Sequence, residues 1–399
     1  MKTDQSGPKP GTLFLMVLAI ITALLPLSLH LFFPALPSVM SDFGVSEAVA
    51  NLTVSVPLFV MAFSSLFYGS LSDHYGRRPV LLFSVACFVV GSIASAVADN
   101  IWVLIAGRII QAAGGGGGLG LARAIARDVY GADRLVKVIS YLTMAYALGP
   151  MISAPVGGIL VDWSGWRAVL TAAAVFGILI GLAGWCVLFE TRPVKAKGAK
   201  LNPLRDYRNL FSDLRFTAYV LQSGFTSSVF FTMAAASSFL MIEYLKRPAS
   251  EYGLYFVCFP LGFLVGSVVA SRLAGRVSVE MMVLAGGLVG VAGTLIQSSF
   301  LFAGIVTPLT IFLPGILAIS AQGIALPNAQ AGAINVAGSL AGTAAGIGVF
   351  IQLLGAGISI QIYGIVADGS PFPMAVVVLV CALLALTVGT IPFLLRGRG

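Results

Sequence analysis

Residues 69–79 read GSLSDHYGRRP, a short basic segment between two long apolar runs. The flanking runs, 49–70 and 79–98, are each long enough to cross about 30 Å of hydrocarbon as a helix. Glycine permits a tight reversal of the chain, and charged side chains stay in water. The segment therefore predicts a polar turn between two membrane-spanning helices.

Five residues of this turn form a spaced pattern. They are Gly69, Asp73, Gly76, Arg77 and Arg78. The aspartate can accept hydrogen bonds at a helix terminus, and the two arginines can bind carbonyl groups at helix carboxyl ends or lipid phosphates. We interpret the pattern as a conformational-switch loop, and an ordinary basic loop is the alternative.

The rest of the chain repeats the apolar pattern. Of 399 residues, 58% are apolar and only 10% are charged, which excludes a water-soluble globule. The sequence therefore predicts an all-α membrane protein that interacts with the lipid bilayer. We predict twelve transmembrane helices at 13–36, 49–70, 79–98, 101–121, 137–160, 167–189, 216–241, 252–272, 280–301, 306–327, 340–363 and 374–395.

The positive charges fall almost entirely on one side of the predicted membrane. When loops are assigned alternately to two sides, nineteen of the 23 lysines and arginines lie in the tails and the even-numbered loops. Only Arg167, Lys246 and Arg247 fall on the other side, and Arg108 lies within a span. Such an excess marks the cytoplasmic side. Both termini and the 190–215 loop are therefore expected in the cytoplasm, and the net charge does not indicate nucleic acid.

A long polar segment divides the chain into two halves. Six predicted spans precede residues 190–215 and six follow them. We expect an N-terminal six-helix bundle at 1–190, a cytoplasmic linker at 191–215 and a C-terminal six-helix bundle at 216–399. A short amphipathic helix on the membrane surface is predicted around 204–214.

The two halves also share a short motif. SDHYGRR at 72–78 and SRLAGRV at 271–277 both contain S-x-x-x-G-R in the connection after the second span of each half. Together with the six spans on each side, this similarity indicates a duplicated bundle. The central site of such a protein lies between the repeats, as in many secondary transporters.

An arginine interrupts the fourth predicted span. Residues 104–120 read LIAGRIIQAAGGGGGLG and place Arg108 in the middle of an apolar run. A charged side chain there costs about 2.5 kcal/mol or more, so Arg108 is expected to face a polar interior or a cavity. Gln111 lies one turn further on and shares that face. The glycines allow neighbouring helices to approach, and without a preceding strand they do not predict a phosphate-binding loop.

A locally weakened helix is predicted in the fifth span, where residues 147–158 read ALGPMISAPVGG. Prolines interrupt the helical hydrogen bonds, and glycines leave little side-chain bulk. We interpret this helix as able to bend and to pack against the opposite half, and a merely kinked helix is the alternative. The residues concerned are Gly149, Pro150, Pro155, Gly157 and Gly158.

These patterns resemble the motifs of the major facilitator superfamily. The basic turn, R-x-x-Q followed by glycines and G-P-x(6)-G-G are similar to those of twelve-span drug/proton antiporters. WRAVL from Trp166 and PNAQAGAINVAGSLAGTAAG from Pro327 further resemble the bicyclomycin and chloramphenicol resistance type.

The resemblance implies the major facilitator fold and alternating access between two bundles. It implies a monomer in the bacterial inner membrane that exports small amphipathic organic compounds, its small-molecule substrates, in exchange for protons. It also implies a role for Arg108 in proton coupling or substrate binding.

The first span departs from this family's pattern. Residues 27–37 read LSLHLFFPALP, and His30 stands where relatives carry an aspartate that is implied to carry protons. All fifteen acids fall in predicted loops. Because histidine titrates near neutral pH, we predict that His30 replaces the acid, with Arg108 modulating its charge or holding an anionic substrate.

Two alternatives to this role stay open. His30 could only hydrogen-bond a neighbouring helix, in which case transport is uncoupled from protons. A loop acid could instead reach into the cavity, and the candidates are Asp42, Glu243 and Asp368.

Polar or aromatic side chains in otherwise apolar spans are candidates for the cavity lining. They are Asn51, Tyr146, Gln222, Phe225 and Gln352. They come from spans that line the central pocket in the family. A buried polar group needs a partner in the membrane, so a helix-to-helix hydrogen bond explains each of them as well as ligand contact does.

Other function classes find less support. The four cysteines, each in a different span, predict neither a disulfide framework nor a metal site, and nothing indicates a cofactor. With two histidines and no carboxylate within a span, the chain lacks the constellation of a membrane enzyme. The alternative functions are a dedicated exporter or uniporter of a single metabolite, for instance an anionic one, without proton coupling, and a non-transporting sensor of the same fold.

Overall fold

The computed structural model describes residues 11–191 and 203–395, and its regular elements are helices apart from one isolated bridge between Ala274 and Val277. The first group of helices comprises α1 (Thr12–Phe32), α2 (Leu36–Phe43), α3 (Glu47–Tyr75), α4 (Arg77–Ala96), α5 (Ile101–Gly115), α6 (Gly118–Ser164) and α7 (Trp166–Val187). The second comprises α8 (Pro203–Ser212), α9 (Leu214–Phe239), α10 (Ala249–Phe256), α11 (Cys258–Leu273), α12 (Val279–Phe302), α13 (Pro308–Ala337), α14 (Ala341–Val366) and α15 (Phe372–Leu394).

The long apolar runs form helices because a backbone surrounded by hydrocarbon must satisfy its hydrogen bonds internally. Among the described helices, ten are long and apolar enough to cross a membrane. A pair bent by 41°, Thr12–Leu24 with Pro26–Phe43, makes an eleventh, and Pro26 removes a backbone donor at the bend. The predicted all-α membrane fold is therefore confirmed.

The fourth predicted span, 101–121, is interrupted at its glycines. Its first helix, α5, has 15 residues, fewer than the roughly 20 that cross a bilayer, and the helix resumes at Gly118. Within α5, a Cβ on Gly114 would lie 2.3 Å from the carbonyl oxygen of Ser84 in α4. The glycines thus allow α4 and α5 to pack backbone against backbone, and they also end the helix early.

The chain reverses direction within α6. A Cβ on Gly118 would lie 3.1 Å from the carbonyl oxygen of Ile21, and the hydroxyl of Thr22 donates to the carbonyl oxygen of Leu142 at 3.3 Å. A straight helix would hold Gly118 and Leu142 about 36 Å apart, so the chain must turn back between them. The part of α6 that can cross the membrane is Lys137–Ser164.

Helices of each group pack mainly on one another. In the first group α1 packs on α6 and α7, and α4 packs on α5 and α7. In the second group α9 packs on α13, α14 and α15, and α12 packs on α13 and α15. The two groups meet mainly along two lines, α3 against α14 and α6 against α10, which we call the α3–α14 seam and the α6–α10 seam.

Charged side chains lie at the two ends of the membrane-spanning helices. The alternation of the helices brings Arg77, Arg78, Arg215, Arg272 and Arg276 to one end, which we call the basic end. It brings Asp42, Glu47, Asp162, Glu243 and Asp368 to the other, which we call the acidic end. Both seams include residues at the acidic end.

The polar segment between the halves is described only in part. α8 occupies the stretch in which a short amphipathic helix is predicted. Residues 192–202 of the predicted linker lie outside the described residues, as do the predicted cytoplasmic tails at 1–10 and 396–399.

Candidate functional site

His30 lies in an aromatic cluster built by both groups of helices. Its ring centroid is 5.5 Å from that of Phe33, 5.6 Å from those of Phe230 and Phe256, and 6.0 Å from that of Phe231. Phe230 and Phe231 belong to α9, and Phe256 belongs to α10. The imidazole is buried, and its Nδ1 has no hydrogen-bond partner among the described residues. An unbonded titratable ring thus lies in an apolar cage between the two groups.

Arg108 is buried inside the first group of helices. Its Nε donates to the carbonyl oxygen of Thr53 at 3.0 Å, and its Nη1 donates to Oε1 of Gln111. The guanidinium lies 4.4 Å from the ring centroid of Phe32. Gln111 in turn donates from Nε2 to the hydroxyl of Ser92 at 2.7 Å. The arginine therefore faces the protein interior with partners on α1, α3 and α5, and only its Nη2 is without one in the described part of the chain.

The structure does not bring His30 and Arg108 together. The imidazole faces the second group of helices, whereas the guanidinium lies over Phe32 within the first group. In a helix, residues two positions apart point to nearly opposite sides. His30 and Phe32 follow this rule, so in this conformation Arg108 is not placed to modulate the charge of His30.

Three predicted cavity residues are buried amides. Asn51 is 0% exposed, and neither of its amide atoms has a partner among the described residues. Gln222 donates to the hydroxyl of Thr226 in its own helix at 2.9 Å. The Nε2 of Gln352 is buried without a partner. Asn51 lies in the α3–α14 seam rather than beside His30, since a Cβ on Gly364 would be 2.8 Å from its Nδ2.

The remaining two cavity candidates also lie away from His30. Phe225 faces a groove of about 690 Å³ between α9, α14 and α15, which Ile358, Ile362 and Val380 also line. These three aliphatic side chains are exposed, so the groove opens toward the lipid. Tyr146 is half-buried and interacts electrostatically with Arg123 toward the basic end.

The predicted switch loop is held by a buried arginine at the basic end. Arg77 places Nη1 2.7 Å from Oδ1 of Asp73 and Nε 3.0 Å from Oδ2 of Asp128. Its side chain is only 5% exposed, as is that of Asp128. Asp128 belongs to α6, so one guanidinium ties α3 and α4 to α6. Sequence reasoning missed Asp128, although it is an acid among the arginines that follow the fourth predicted span.

A second acid, Glu190, also binds this turn. Its Oε1 accepts a hydrogen bond from the backbone amide of Arg77 at 2.9 Å, and its Oε2 accepts one from the amide of Arg78 at 3.2 Å. Gly76 has φ +104°, and a Cβ there would lie 2.5 Å from the Glu190 carboxylate, so glycine is required. Gly69 has open space on its Cβ side.

The predicted weakened helix faces two ways. A Cβ on Gly149 would touch Pro26 of α1 at 3.0 Å, and one on Gly157 would lie 2.2 Å from the carbonyl oxygen of Leu31, also in α1. A Cβ on Gly158 would lie 2.3 Å from the carbonyl oxygen of Ala249 in α10. Pro150 and Pro155 both lie inside the Lys137–Ser164 part of α6. Gly158 therefore packs against the opposite group, whereas Gly149 and Gly157 serve the packing of α1 on α6.

Asp162 joins the two groups at the acidic end. Its Oδ1 accepts a hydrogen bond from the backbone amide of Ala249 at 2.9 Å, and its Oδ2 accepts one from the amide of Ser250 at 2.9 Å. These are unsatisfied donors at the N-terminus of α10, where a carboxylate is stabilising. No local pattern distinguishes this acid from other loop acids in the sequence.

Polar side chains join the groups elsewhere. In the α3–α14 seam the hydroxyl of Ser55 donates to Oε1 of Gln361 at 2.9 Å, and Nε2 of Gln361 donates to the carbonyl oxygen of Ala48 at 3.2 Å. The hydroxyl of Ser238 in α9 donates to the carbonyl oxygen of Phe33 at 2.8 Å. These contacts close the interface between the aromatic cluster and the acidic end.

The arrangement can bind an apolar or aromatic molecule where the two groups meet, if the groups separate around His30. Among the described residues, no group of histidines, cysteines and acids could hold a metal ion.

Comparisons with known proteins give the family. Residues 18–360 match the model of the Major Facilitator Superfamily, well over half of the chain. The chain is 28% identical over 353 residues to "Multidrug resistance protein D" of Escherichia coli (strain K12), covering 86% of each protein. It is 24% identical over 276 residues to "Bicyclomycin resistance protein homolog" of Haemophilus influenzae, covering 69% of each.

A solved structure shows the same fold. A POT family transporter in complex with 5-aminolevulinic acid superposes with a TM-score of 0.79 at 15% identity, covering 99% of both chains. At this identity the likeness concerns the fold alone.

Proposed function

Because the chain belongs to the major facilitator superfamily, as its motifs predicted, we propose that it exports small amphipathic organic compounds in exchange for protons. It is a multi-pass membrane protein of a transporter family with multidrug-resistance relatives. Its relatives and its structural neighbour are transporters, which is the reason for not assigning it an enzymatic activity.

The aromatic cluster around His30 carries the proposal. Four phenylalanines from both groups of helices surround one titratable ring. Phenylalanine faces and edges bind flat apolar groups with little dependence on their detailed shape, which suits amphipathic cargo. Because the rings come from both groups, a relative movement of the groups opens or closes the site.

The proposed orientation places the basic end in the cytoplasm. An excess of lysine and arginine in short loops favours that side, and it puts both termini in the cytoplasm of a bacterial inner membrane. With this orientation the acidic end faces outward, and the contacts of Asp162, Gln361 and Ser238 close the outer side.

Transport then consists of a rocking movement of two units about the aromatic cluster. We propose the predicted bundles at 1–190 and 216–399 as these units, with 191–215 as their linker and a monomer as the functional form. The Arg77 contacts with Asp73 and Asp128 lie within the first unit and keep its basic end together during the movement.

We propose that His30 carries the proton that is exchanged for the exported compound. Its Nδ1 has no partner among the described residues, so a proton or a polar group of the cargo can occupy it when the cluster opens. Arg108 has a different proposed role. With Gln111 and Thr53 it fixes α3 and α5 behind the site.

A direct test compares two variants of His30. His30→Gln keeps a hydrogen-bonding side chain but cannot titrate near neutral pH, and His30→Ala removes both properties. We expect drug-evoked proton flux in proteoliposomes to be lost in both variants. Retained coupling with unchanged pH dependence in His30→Gln would defeat the histidine proposal.

The cargo is identified by a susceptibility panel in a pump-deficient host. Compounds that the protein protects against are then measured by direct flux. Protection against amphipathic compounds supports the proposed cargo, and an absence of protection and flux across the panel contradicts it.

A second candidate function is uncoupled export of a single anionic metabolite. The unpartnered Nη2 of the buried Arg108 favours it, because a guanidinium binds carboxylates well. Counterflow in proteoliposomes with and without a pH gradient separates the two functions. Rates that do not depend on the gradient favour this candidate.

A further inference from the structure

Glu47, the first residue of α3, is a carboxyl group at the interface between the two groups of helices. Its Oε1 is buried without a hydrogen-bond partner in the described part of the chain. The hydroxyl of Tyr363 in α14 interacts electrostatically with the carboxyl group. None of the ion pairs among the described residues includes Glu47. The buried Asp128, by contrast, lies 3.0 Å from Arg77.

The charged groups that act on Glu47 are other acids. Asp368, just after α14, and Glu243, just after α9, both repel a negative charge there. Glu243 is offset by Lys246 at 3.2 Å. The hydroxyl and backbone amide of Ser370 donate to Asp368 and hold its pKa below its usual range, so Asp368 is negative at neutral pH.

The neighbouring α2 supplies no free cation to Glu47. Its acid, Asp42, accepts hydrogen bonds from Nη1 of Arg167 at 2.8 Å and from Nε1 of Trp166 at 3.0 Å. That arginine is therefore already paired with an acid. The groups from α9 and α14 that act on Glu47 are thus a hydroxyl and further carboxylates.

Asn51 gives an independent sign that polar groups in this part of the interface are left unsatisfied by the described residues. It lies one turn after Glu47, is 0% exposed, and has no partner for either amide atom among the described residues. The absence of a side chain on Gly364 lets it approach α14. Buried polar groups are nearly always hydrogen-bonded, so an unpaired amide beside an unpaired carboxyl oxygen requires a reason.

Protonation of Glu47 supplies that reason. Burying an ionised carboxylate without a cationic partner costs free energy, and nearby negative charges add to this cost. A protonated carboxyl is neutral and gains an O–H donor. The candidate acceptors are the hydroxyl of Tyr363 across the seam and the Oδ1 of Asn51, one turn further along α3. When the seam opens, water can solvate the ionised carboxylate instead.

We propose that Glu47, with Asn51 and Tyr363, forms a proton-binding site that is occupied when the α3–α14 seam is closed. The proton adds to the carboxylate from the outer compartment and leaves when the seam reopens. Low external pH therefore favours the outwardly closed state. The inference rests on the proposed alternating access and orientation, but not on which compound is carried or whether His30 moves a proton.

The test measures closure against pH in the full-length protein. Spin labels at Val45→Cys and Ala367→Cys, after replacement of the four native cysteines, report the distance across the seam in lipid nanodiscs. With one linked proton, the ratio of closed to open protein is expected to fall by up to about tenfold per pH unit over the titration. Glu47→Gln is expected to remain closed from about pH 5 to about pH 9.

Matched variants identify the group that titrates. Asp99→Asn removes an exposed acid elsewhere at the acidic end and should leave the slope unchanged. Tyr363→Phe should keep the slope and shift its midpoint, and Glu47→Asp should keep it as well. The proposal is wrong if closure of the wild-type protein does not depend on pH, or if Glu47→Gln shows the same pH dependence of closure as the wild type.

Export assays separate this site from the proposed cargo. If no compound is exported but closure still depends on pH through Glu47, the cargo assignment fails and the proton site stands. If export is observed and closure does not depend on pH, the proton site fails and the cargo assignment stands.

Discussion

The two seams close the same end of the molecule by different means. In the α6–α10 seam, glycines bring backbones together: a Cβ on Gly158 would lie 2.3 Å from the carbonyl oxygen of Ala249, and one on Gly253 would lie 2.4 Å from that of Ala154. Both carboxylate oxygens of Asp162 in this seam accept hydrogen bonds from backbone amides at the N-terminus of α10. Among the described residues, this seam has no buried acid without a partner.

The α3–α14 seam is closed by side chains and leaves some of them unsatisfied. Ser55 and Gln361 bond across it, but Asn51 and one oxygen of Glu47 have no partner among the described residues. An unpaired buried polar group costs about 1–3 kcal/mol, so closure here is less favourable than closure by the glycines. In our proposal the α3–α14 seam makes closure depend on a proton, whereas the α6–α10 seam closes through backbone contacts.

The largest expected effect comes from filling the glycine contact. Gly158→Ala places a Cβ against a backbone oxygen that cannot move without separating α6 from α10. Overpacking of this kind costs about 1–3 kcal/mol, which lowers the closed population by roughly 5–150-fold. The measurement is the distance between spin labels on Trp163→Cys and Leu254→Cys, both exposed positions at this seam.

Gly120→Ala is the matched control, because it lies in the same helix with open space on its Cβ side. It should leave the closed population unchanged. An equal effect of the two substitutions would show that helix α6 as a whole, and not the glycine contact, sets closure.

A smaller loss is expected from removing the cap at α10. Asp162→Ala leaves the amides of Ala249 and Ser250 without their carboxylate, and lost caps of this kind cost about 0.5–2 kcal/mol. The closed population should fall by roughly 2–30-fold in the same distance measurement. Asp162→Asn keeps one acceptor oxygen and should lie between wild type and Asp162→Ala. If neither variant changes the closed population, Asp162 does not contribute to closure of the α6–α10 seam.

The smallest effect concerns the α3–α14 seam. Asn51→Leu keeps a similar volume but removes the Oδ1 that is the proposed acceptor for protonated Glu47, and a lost hydrogen bond of this kind costs about 0.5–1.5 kcal/mol. We expect the closed population to fall by about tenfold or less in the Val45–Ala367 distance measurement. Asn51→Asp adds a buried charge and should also open the seam. An unchanged or larger closed population in Asn51→Leu would show that Asn51 is not part of the proton-binding site.

Much of the fold followed from patterns within the sequence. The apolar runs predicted eleven of the described spans, and the proline at 26 and the glycines after residue 113 lie where the first and fourth spans are interrupted. The basic turn predicted a tight reversal at Gly76, and in the structure this residue has a φ of +104°, which favours glycine. These features are local, so the sequence near them is sufficient.

The partners of the site residues did not follow from the sequence. Arg108 and His30 lie on the fourth and first predicted spans and were predicted to act together. In the structure the imidazole faces the second group of helices, whereas the guanidinium lies over Phe32 within the first group. Asp128, Asp162 and Glu47 were counted as loop acids, but their environments differ. Asp128 binds Arg77, Asp162 caps α10, and Glu47 faces α14 with one oxygen that has no partner among the described residues.

The sequence by itself determined that this chain crosses a membrane many times as helices, because hydrocarbon requires apolar side chains and internally bonded backbone along each span. It also determined the family, through motifs whose residues are close together in the chain. Only the tertiary structure decided which polar groups are satisfied, because their partners come from helices that are distant in sequence and meet only when the two groups of helices pack together.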